Sequence, residues 1–296
     1  MTDMRKGAAL LAGLALVLAA CGGADDEAAP APEPAPETET AEVEETDPCA
    51  VDQLPLYAAG TLTVATGSEV YPPWMMDNDP SGGMGFENGL VYALAEEMGF
   101  TADQVSWVGT EFFEAIAPGA KEYDFNIQQY SITPERTEVV SFSAPYYEPD
   151  KAIIALPDSA IASATSFDEL RTANWGATIG TTDLDYLENV IGIEDVAVFN
   201  DQAAVFLALS AGEIDATVAA IPTALFVTAV QAPDSSIVAL LPKDANDAGL
   251  GMLFEKDSAL IPCVDAALER LYADGTVDAL VAEWLLPAED IAYITE

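Results

Sequence analysis

The sequence predicts an α/β chain folded as two lobes with mostly parallel sheets, on three observations. Short β-rich runs alternate with helix-patterned segments from Leu62 onward. The alternation occurs in two successive series within about 250 residues, the span of two modest globular units. Hydrophobic residues make up 51% of the 296-residue chain, enough to furnish a core for each series.

Taken in order, residues 62–65 (Leu-Thr-Val-Ala) read as the first strand, and Leu90, Ala93, Leu94 and Met98 share one face of the helix that follows. Residues 105–108 and 125–130 read as the next strands, with a short helix opening at Pro134 and a strand over 139–142. The second series opens with a strand over 151–156. A capping box at Ser166 and Glu169 starts a helix, 175–179 is a strand, and a helix begins near Thr182. A strand around Val198, a helix over 201–210, a strand over 216–220 and a helix after Pro222 complete it. Residues 251–254 and the helices 258–273 and 276–284 hold too few strands for a third lobe. The expected layout is residues 49–148 in the first lobe, 149–245 in the second, and 246–296 returning to the first. Two crossings between lobes make a two-strand hinge that allows closure over a crevice.

Composition narrows the function. Nine basic residues against 51 acidic ones, a formal charge of −42, leave no basic stripe for a phosphate backbone, so nucleic acid is excluded as a main partner. The absence of histidine removes Ser-His-Asp, Cys-His and histidine-zinc chemistry. No catalytic residue, cofactor or metal is expected. The run Asp77-x-Asp79-x-Ser81-Gly82 begins like a calcium loop, but Pro80 interrupts it and Asn88 stands where a bidentate glutamate belongs, so it reads as a turn.

The amino-terminal residues carry an address. Arg5 and Lys6 precede an apolar run over 8–20 that is short for a bilayer span, which reads as a signal peptide over residues 1–20. Leu18-Ala19-Ala20-Cys21 resembles a bacterial lipobox, which implies lipidation of Cys21 and anchoring to the outer face of the cytoplasmic membrane. Residues 22–48 hold ten carboxylates, five prolines and no cation, so 21–48 reads as an extended, self-repelling tether. In an exported chain Cys49 and Cys263 are expected to form a disulfide.

Ser131-Ile132-Thr133-Pro134-Glu135-Arg136, then Val140-Ser141-Phe142-Ser143 and Pro145-Tyr146-Tyr147, resemble the most specific stretch of family-3 extracellular solute-binding proteins, the amino-acid-type component of bacterial ABC importers. Tyr71-Pro72-Pro73-Trp74, Gly85-Phe86-Glu87, Gly180-Thr181-Thr182, Gly212-Glu213-Ile214-Asp215-Ala216 and Ala273-Asp274-Gly275-Thr276 are similar to further family motifs, in the family's order over residues 57–292. The resemblance implies a periplasmic-binding-protein fold of type II, the Venus-flytrap arrangement. It also implies capture of a small carboxylate-bearing solute, an amino acid or related compound, and delivery to an ABC transporter permease.

Arg136 is one of only four arginines, at the first turn of a helix after a strand end, where open α/β sheets bind ligands. By resemblance it clamps the solute's carboxylate, with Ser131 as a hydroxyl donor. Thr181 and Thr182 open a helix whose free N–H groups favour an anion; they serve as N-caps, as a second grip from the other lobe, or as both. Tyr71 and Trp74 follow the first strand as an aromatic wall or as packing. Gln128 and Gln129 stand at a strand end and either read polar ligand groups or satisfy neighbouring backbone. Ala220 departs from the family, which usually places an aspartate there for the ligand's ammonium group; Glu87 and Asp183 are the substitute acids, unless the ligand lacks such a group. Two other readings accompany this one: a dehydratase-like enzyme on the same scaffold, and a ligand-sensing receptor for a membrane signalling partner.

Overall fold

The computed structural model describes residues 47–285 and 291–295, all within the unit Thr46–Glu296. The expected signal peptide, Cys21 and nearly all of the acidic tether lie outside the described residues. In chain order, β1 (Leu62–Gly67), α1 (Phe86–Glu97), β2 (Val105–Thr110), α2 (Phe112–Ile116), β3 (Phe125–Asn126), α3 (Pro134–Val139) and β4 (Ser141–Phe142) come first. They are followed by β5 (Lys151–Ala155), α4 (Phe167–Leu170), β6 (Trp175–Thr178), α5 (Thr182–Asp185), β7 (Val196–Phe199), α6 (Gln202–Ala211), β8 (Ala216–Ala220), α7 (Ile221–Phe226) and β9 (Ser236–Leu240). The chain then runs through β10 (Leu253–Phe254), α8 (Ile261–Ala273) and α9 (Thr276–Trp284).

These strands make two five-stranded sheets, ordered β2-β1-β3-β10-β4 and β7-β6-β8-β5-β9. In each, four strands run one way and one runs against them: β10 is antiparallel to β3 and β4, and β5 is antiparallel to β8 and β9. The expectation of mostly parallel sheets therefore holds. The reason is visible in β1, whose six residues are all buried, as a strand covered on both faces requires. In β5 the pleat sends Ile153 and Ala155 into one core and Ala152 and Ile154 into another, so this sheet too is packed on both sides. The first sheet's core gathers Leu90, Val91 and Leu94 of α1 with Val264, Ala267, Leu268 and Leu271 of α8.

The chain passes from the first sheet to the second between β4 and β5, and returns between β9 and β10. Cys49 and Cys263 are joined by a disulfide, tying the start of the described chain to α8. Three local readings differ from the structure. The strand expected over 125–130 pairs only at Phe125–Asn126, because the backbone leaves the ladder and Gln129 adopts φ 51°. Val139 closes α3 instead of opening β4, and α8 starts at Ile261, with residues 258–260 forming the turn before it.

The carboxyl-terminal residues do not stay with the first lobe, where the sequence reading put them. Leu285 lies in the first core, whereas Ile294 is 3% exposed in the second. Leu240 N–H donates to Ala292 O at 2.9 Å, and Ile294 N–H donates to Leu240 O at 2.8 Å. Thr295 N–H donates to Thr165 O at 3.0 Å, and the Tyr293 hydroxyl donates to Asp150 Oδ1 at 2.8 Å. The segment satisfies the outer edge of β9, a strand that the sequence reading did not anticipate and whose groups would otherwise be unpaired.

Candidate ligand-binding site

A cavity of about 430 Å³ lies between the two sheets, lined by strand ends that include Thr66, Thr110, Thr178 and Ala220. This is the place outside the carboxyl ends of parallel strands where open α/β sheets take ligands.

Arg136 is set by local rules. Pro134 occupies the first turn of α3, and Thr133 caps it by accepting from Arg136 N–H at 3.3 Å. Arg136 is 7% exposed. It donates through Nη1 to Ser131 O at 2.8 Å and through Nη2 to Gly180 O at 2.9 Å, one carbonyl from each lobe. It also stands 5.6 Å from the centre of the Phe112 ring. Burial lowers its pKa against the pull of Tyr130, Asp247 and Asp183, and guanidinium remains charged at any working pH. No carboxylate lies within ion-pair distance of it among the described residues.

Around it the two lobes meet through polar groups. The Ser131 hydroxyl donates to Asp247 Oδ2 at 2.7 Å and lies 3.2 Å from Thr182 Oγ1. Lys151, the first residue of β5, donates to Thr182 Oγ1 at 2.6 Å and pairs with Asp183 at 3.0 Å and Asp247 at 3.6 Å. Thr181 caps α5, accepting from Leu184 N–H at 3.2 Å and donating to Thr178 O at 2.8 Å, so its hydroxyl is committed to the helix start. Asp183 lines the cavity but is paired with Lys151.

Tyr71 and Trp74 both line the cavity, and Phe112 and Phe206 line it with them. Tyr71 is half-buried and meets Phe206 edge-on with ring centres 6.3 Å apart. Burial and the nearby Glu69 and Asp201 hold its phenol protonated well above the usual range. Trp74 is 1% exposed, packed on Phe86 and Tyr147, and donates from Nε1 to Thr223 Oγ1 at 2.8 Å, so it is core and cavity floor at once. Phe112, stacked on Tyr130 at 4.6 Å, supplies a flat face that the sequence reading missed.

Gln128 accepts from the Tyr130 hydroxyl at 3.0 Å. Gln129 donates its N–H to Glu87 at 3.0 Å, and its side-chain amide to the same carboxylate, which the Tyr146 hydroxyl also reaches. Glu87 is fully buried, and burial pushes its carboxyl up to about 7 against those three bonds. Arg136, Ser131, Thr181, Thr182, Tyr71, Trp74, Gln128, Gln129, Glu87 and Asp183 all line the one cavity. Lys151, Asp247, Phe112, Phe206 and Thr223 line it as well and were missed. Lys151 had a signal, being one of few cations and standing at a strand start; Asp247, in an acid-rich loop, had none. The Asp77–Ser81 run forms a turn in which Asp79 Oδ1 accepts from Ser81 N–H at 2.9 Å and Ser81 Oγ at 2.6 Å.

Comparison with known proteins agrees with this architecture. The model of bacterial extracellular solute-binding proteins, family 3, matches residues 62–287. The chain is 28% identical over 224 residues to ABC transporter arginine-binding protein 1 of Escherichia coli strain K12, covering 73% of this chain and 88% of that one. It is 27% identical over 241 residues to the L-cystine-binding protein TcyJ of the same strain, covering 76% of this chain and 82% of the other. Among solved structures, an ancestral arginine-binding protein bound to glutamine aligns with a TM-score of 0.65 at 28% identity, over 77% of this chain and 99% of that one. The ancestral amino acid-binding protein AncCDT-1, a precursor of cyclohexadienyl dehydratase, aligns with a TM-score of 0.63 at 28% identity, over 77% and 96%. Two five-stranded α/β sheets facing one another across a polar crevice, and a family match over most of the folded chain, make this a two-lobed type II binding protein: the chain belongs to the bacterial extracellular solute-binding proteins, family 3.

Proposed function

We propose that this chain is the substrate-binding lipoprotein of an ABC importer, holding a small amino-acid-type solute by its carboxylate and passing it to a membrane permease without breaking any bond of it. One observation carries the reading: the buried side chain of Arg136 bonds carbonyls of both lobes inside the cavity and has no carboxylate partner among the described residues. A solute carboxylate meets that need with a charge-assisted fork, shorter and stronger than bonds to carbonyls. The hydroxyls of Ser131 and Thr182 approach from opposite lobes at 3.2 Å, where a solute carboxylate takes the Ser131 proton in place of Asp247, while Thr181 fixes the start of α5 as the second lobe's side of the grip. Contacts made only when the lobes are together are what a ligand needs to favour the closed state. Tyr71 and Phe112 flank the remainder of the solute.

In this reading residues 49–148 and 149–245 are the two lobes, with most of 246–296 returned to the first. Cys21 carries the lipid that holds the protein at the outer face of the membrane. The arginine, cystine and glutamine in the names of similar proteins support an amino-acid ligand. Arg136→Ala is expected to keep the fold and to abolish the rise in melting temperature that an amino-acid screen produces in the wild type. Equal ligand affinity of the two proteins in titration calorimetry would remove Arg136 from the site and the reading with it.

A further inference from the structure

Glu87 is the most enclosed acid beside the crevice, 0% exposed in the first turn of α1. Its carboxylate takes two donations from one residue, the backbone N–H and the side-chain Nε2 of Gln129, and a third from the Tyr146 hydroxyl. Gln129 is held at φ 51°, a conformation that a residue with a side chain keeps only when its surroundings impose it. A carboxylate accepts and cannot donate, so it selects which end of the glutamine amide turns toward it. The NH2 faces Glu87, so the carbonyl oxygen turns away from that carboxylate, on a residue that lines the crevice. Across that crevice the wall is neutral at Ala220, whose partner in the β5–β8 ladder is Lys151. The Lys151 ammonium is already held by Asp183 and Asp247.

We propose that Glu87 is a positioning residue that fixes Gln129 with its Oε1 toward the crevice, as the acceptor for the solute's α-ammonium group. The placement fits: Gln129 and Arg136 line the same cavity, and Gln129 lies two residues before Ser131, whose carbonyl binds Arg136. The assignment rests on the amino-acid reading above and supplies an acceptor from the first lobe, where Ala220 offers none in the second. It also gives the site a pH dependence. The titratable groups facing Glu87 are the hydroxyls of Tyr146 and Tyr130, with Arg136 beyond Tyr130. Above about pH 7 Glu87 is ionised and the amide is fixed; below it, the protonated acid can donate to Oε1 and turn the NH2 toward the ammonium.

The test uses the full chain, titration calorimetry, and two probe pairs: L-arginine with 5-guanidinopentanoate, and L-glutamine with glutaramate, each partner lacking only the amino group. For whichever pair binds, the wild type is expected to prefer the amino form by about tenfold at alkaline pH, the value of one hydrogen bond to a charged group. That preference shrinks on acidification through about pH 7. Glu87→Gln is expected to flatten the pH dependence, and Gln129→Met to abolish the preference while leaving des-amino affinity in place. In ligand-free protein, the Gln129 side-chain amide resonances should shift with pH in the wild type and not in Glu87→Gln. A preference that survives in Gln129→Met, or an amide indifferent to pH, overturns the assignment. Binding of the des-amino acids alone overturns it and leaves the carboxylate reading standing; if none of the four compounds binds, both fall.

Discussion

Arg136 bonds Ser131 O and Gly180 O across the crevice, and those two acceptors are neutral. At this scale Glu87 is the other notable charge, because its burial acts on stability as well as on the site. Its carboxyl is raised to about 7, so the folded state holds the proton more tightly than the unfolded one. Its contribution to stability is full below the unfolded value and is lost as pH rises toward and through 7. The melting temperature of Glu87→Gln relative to wild type is therefore expected to increase between about pH 5 and pH 8; a constant difference would show that Glu87 does not titrate there. Arg136 stands out in the sequence as a scarce cation at a helix start after a strand, and the family resemblance supplied its expected role. The Lys151–Asp247 pair was not legible, since nothing local joins two residues that only the return crossing brings together.

The elements were legible where the pattern is strong and the burial one-sided or complete, as in α1, β1 and β8. They were misread where the chain leaves the ladder: β3 ends at Asn126, Gln128 and Gln129 line the crevice beyond it, and no propensity at 125–130 announces that departure. β9 escaped because the helix before Ser236–Leu240 ends without a glycine cap to mark the boundary. The Cys49–Cys263 bond makes its prediction between elements. It joins residues 214 positions apart, and in the chain-entropy account a loop of that length is worth about 5 kcal/mol. The double variant Cys49→Ala/Cys263→Ala is expected to lose roughly 2–5 kcal/mol in urea unfolding, through loosening of the first lobe. Ligand affinity should survive, because neither cysteine lines the cavity.

For the whole molecule the dominant fact is charge: −42 over 296 residues, against five ion pairs among the described ones. Like charges at that density repel in the folded state, and salt screens them, the Debye length falling from about 10 Å at 0.1 M to about 3 Å at 1 M. The melting temperature is expected to climb by several degrees over that range of sodium chloride; a fall on adding salt would mean that attractive pairs outweigh the repulsion. The two-lobed plan could be read from the two series of elements, but the route of the last residues could not. With Tyr293 and Thr295 fastened beside β9 while α9 packs on the first core, the chain ties the two halves together a third time. Deleting 291–295 therefore amounts to loosening a door-chain, and a fluorophore placed there would report on the motion of the second lobe even though the nearest helix in sequence belongs to the first.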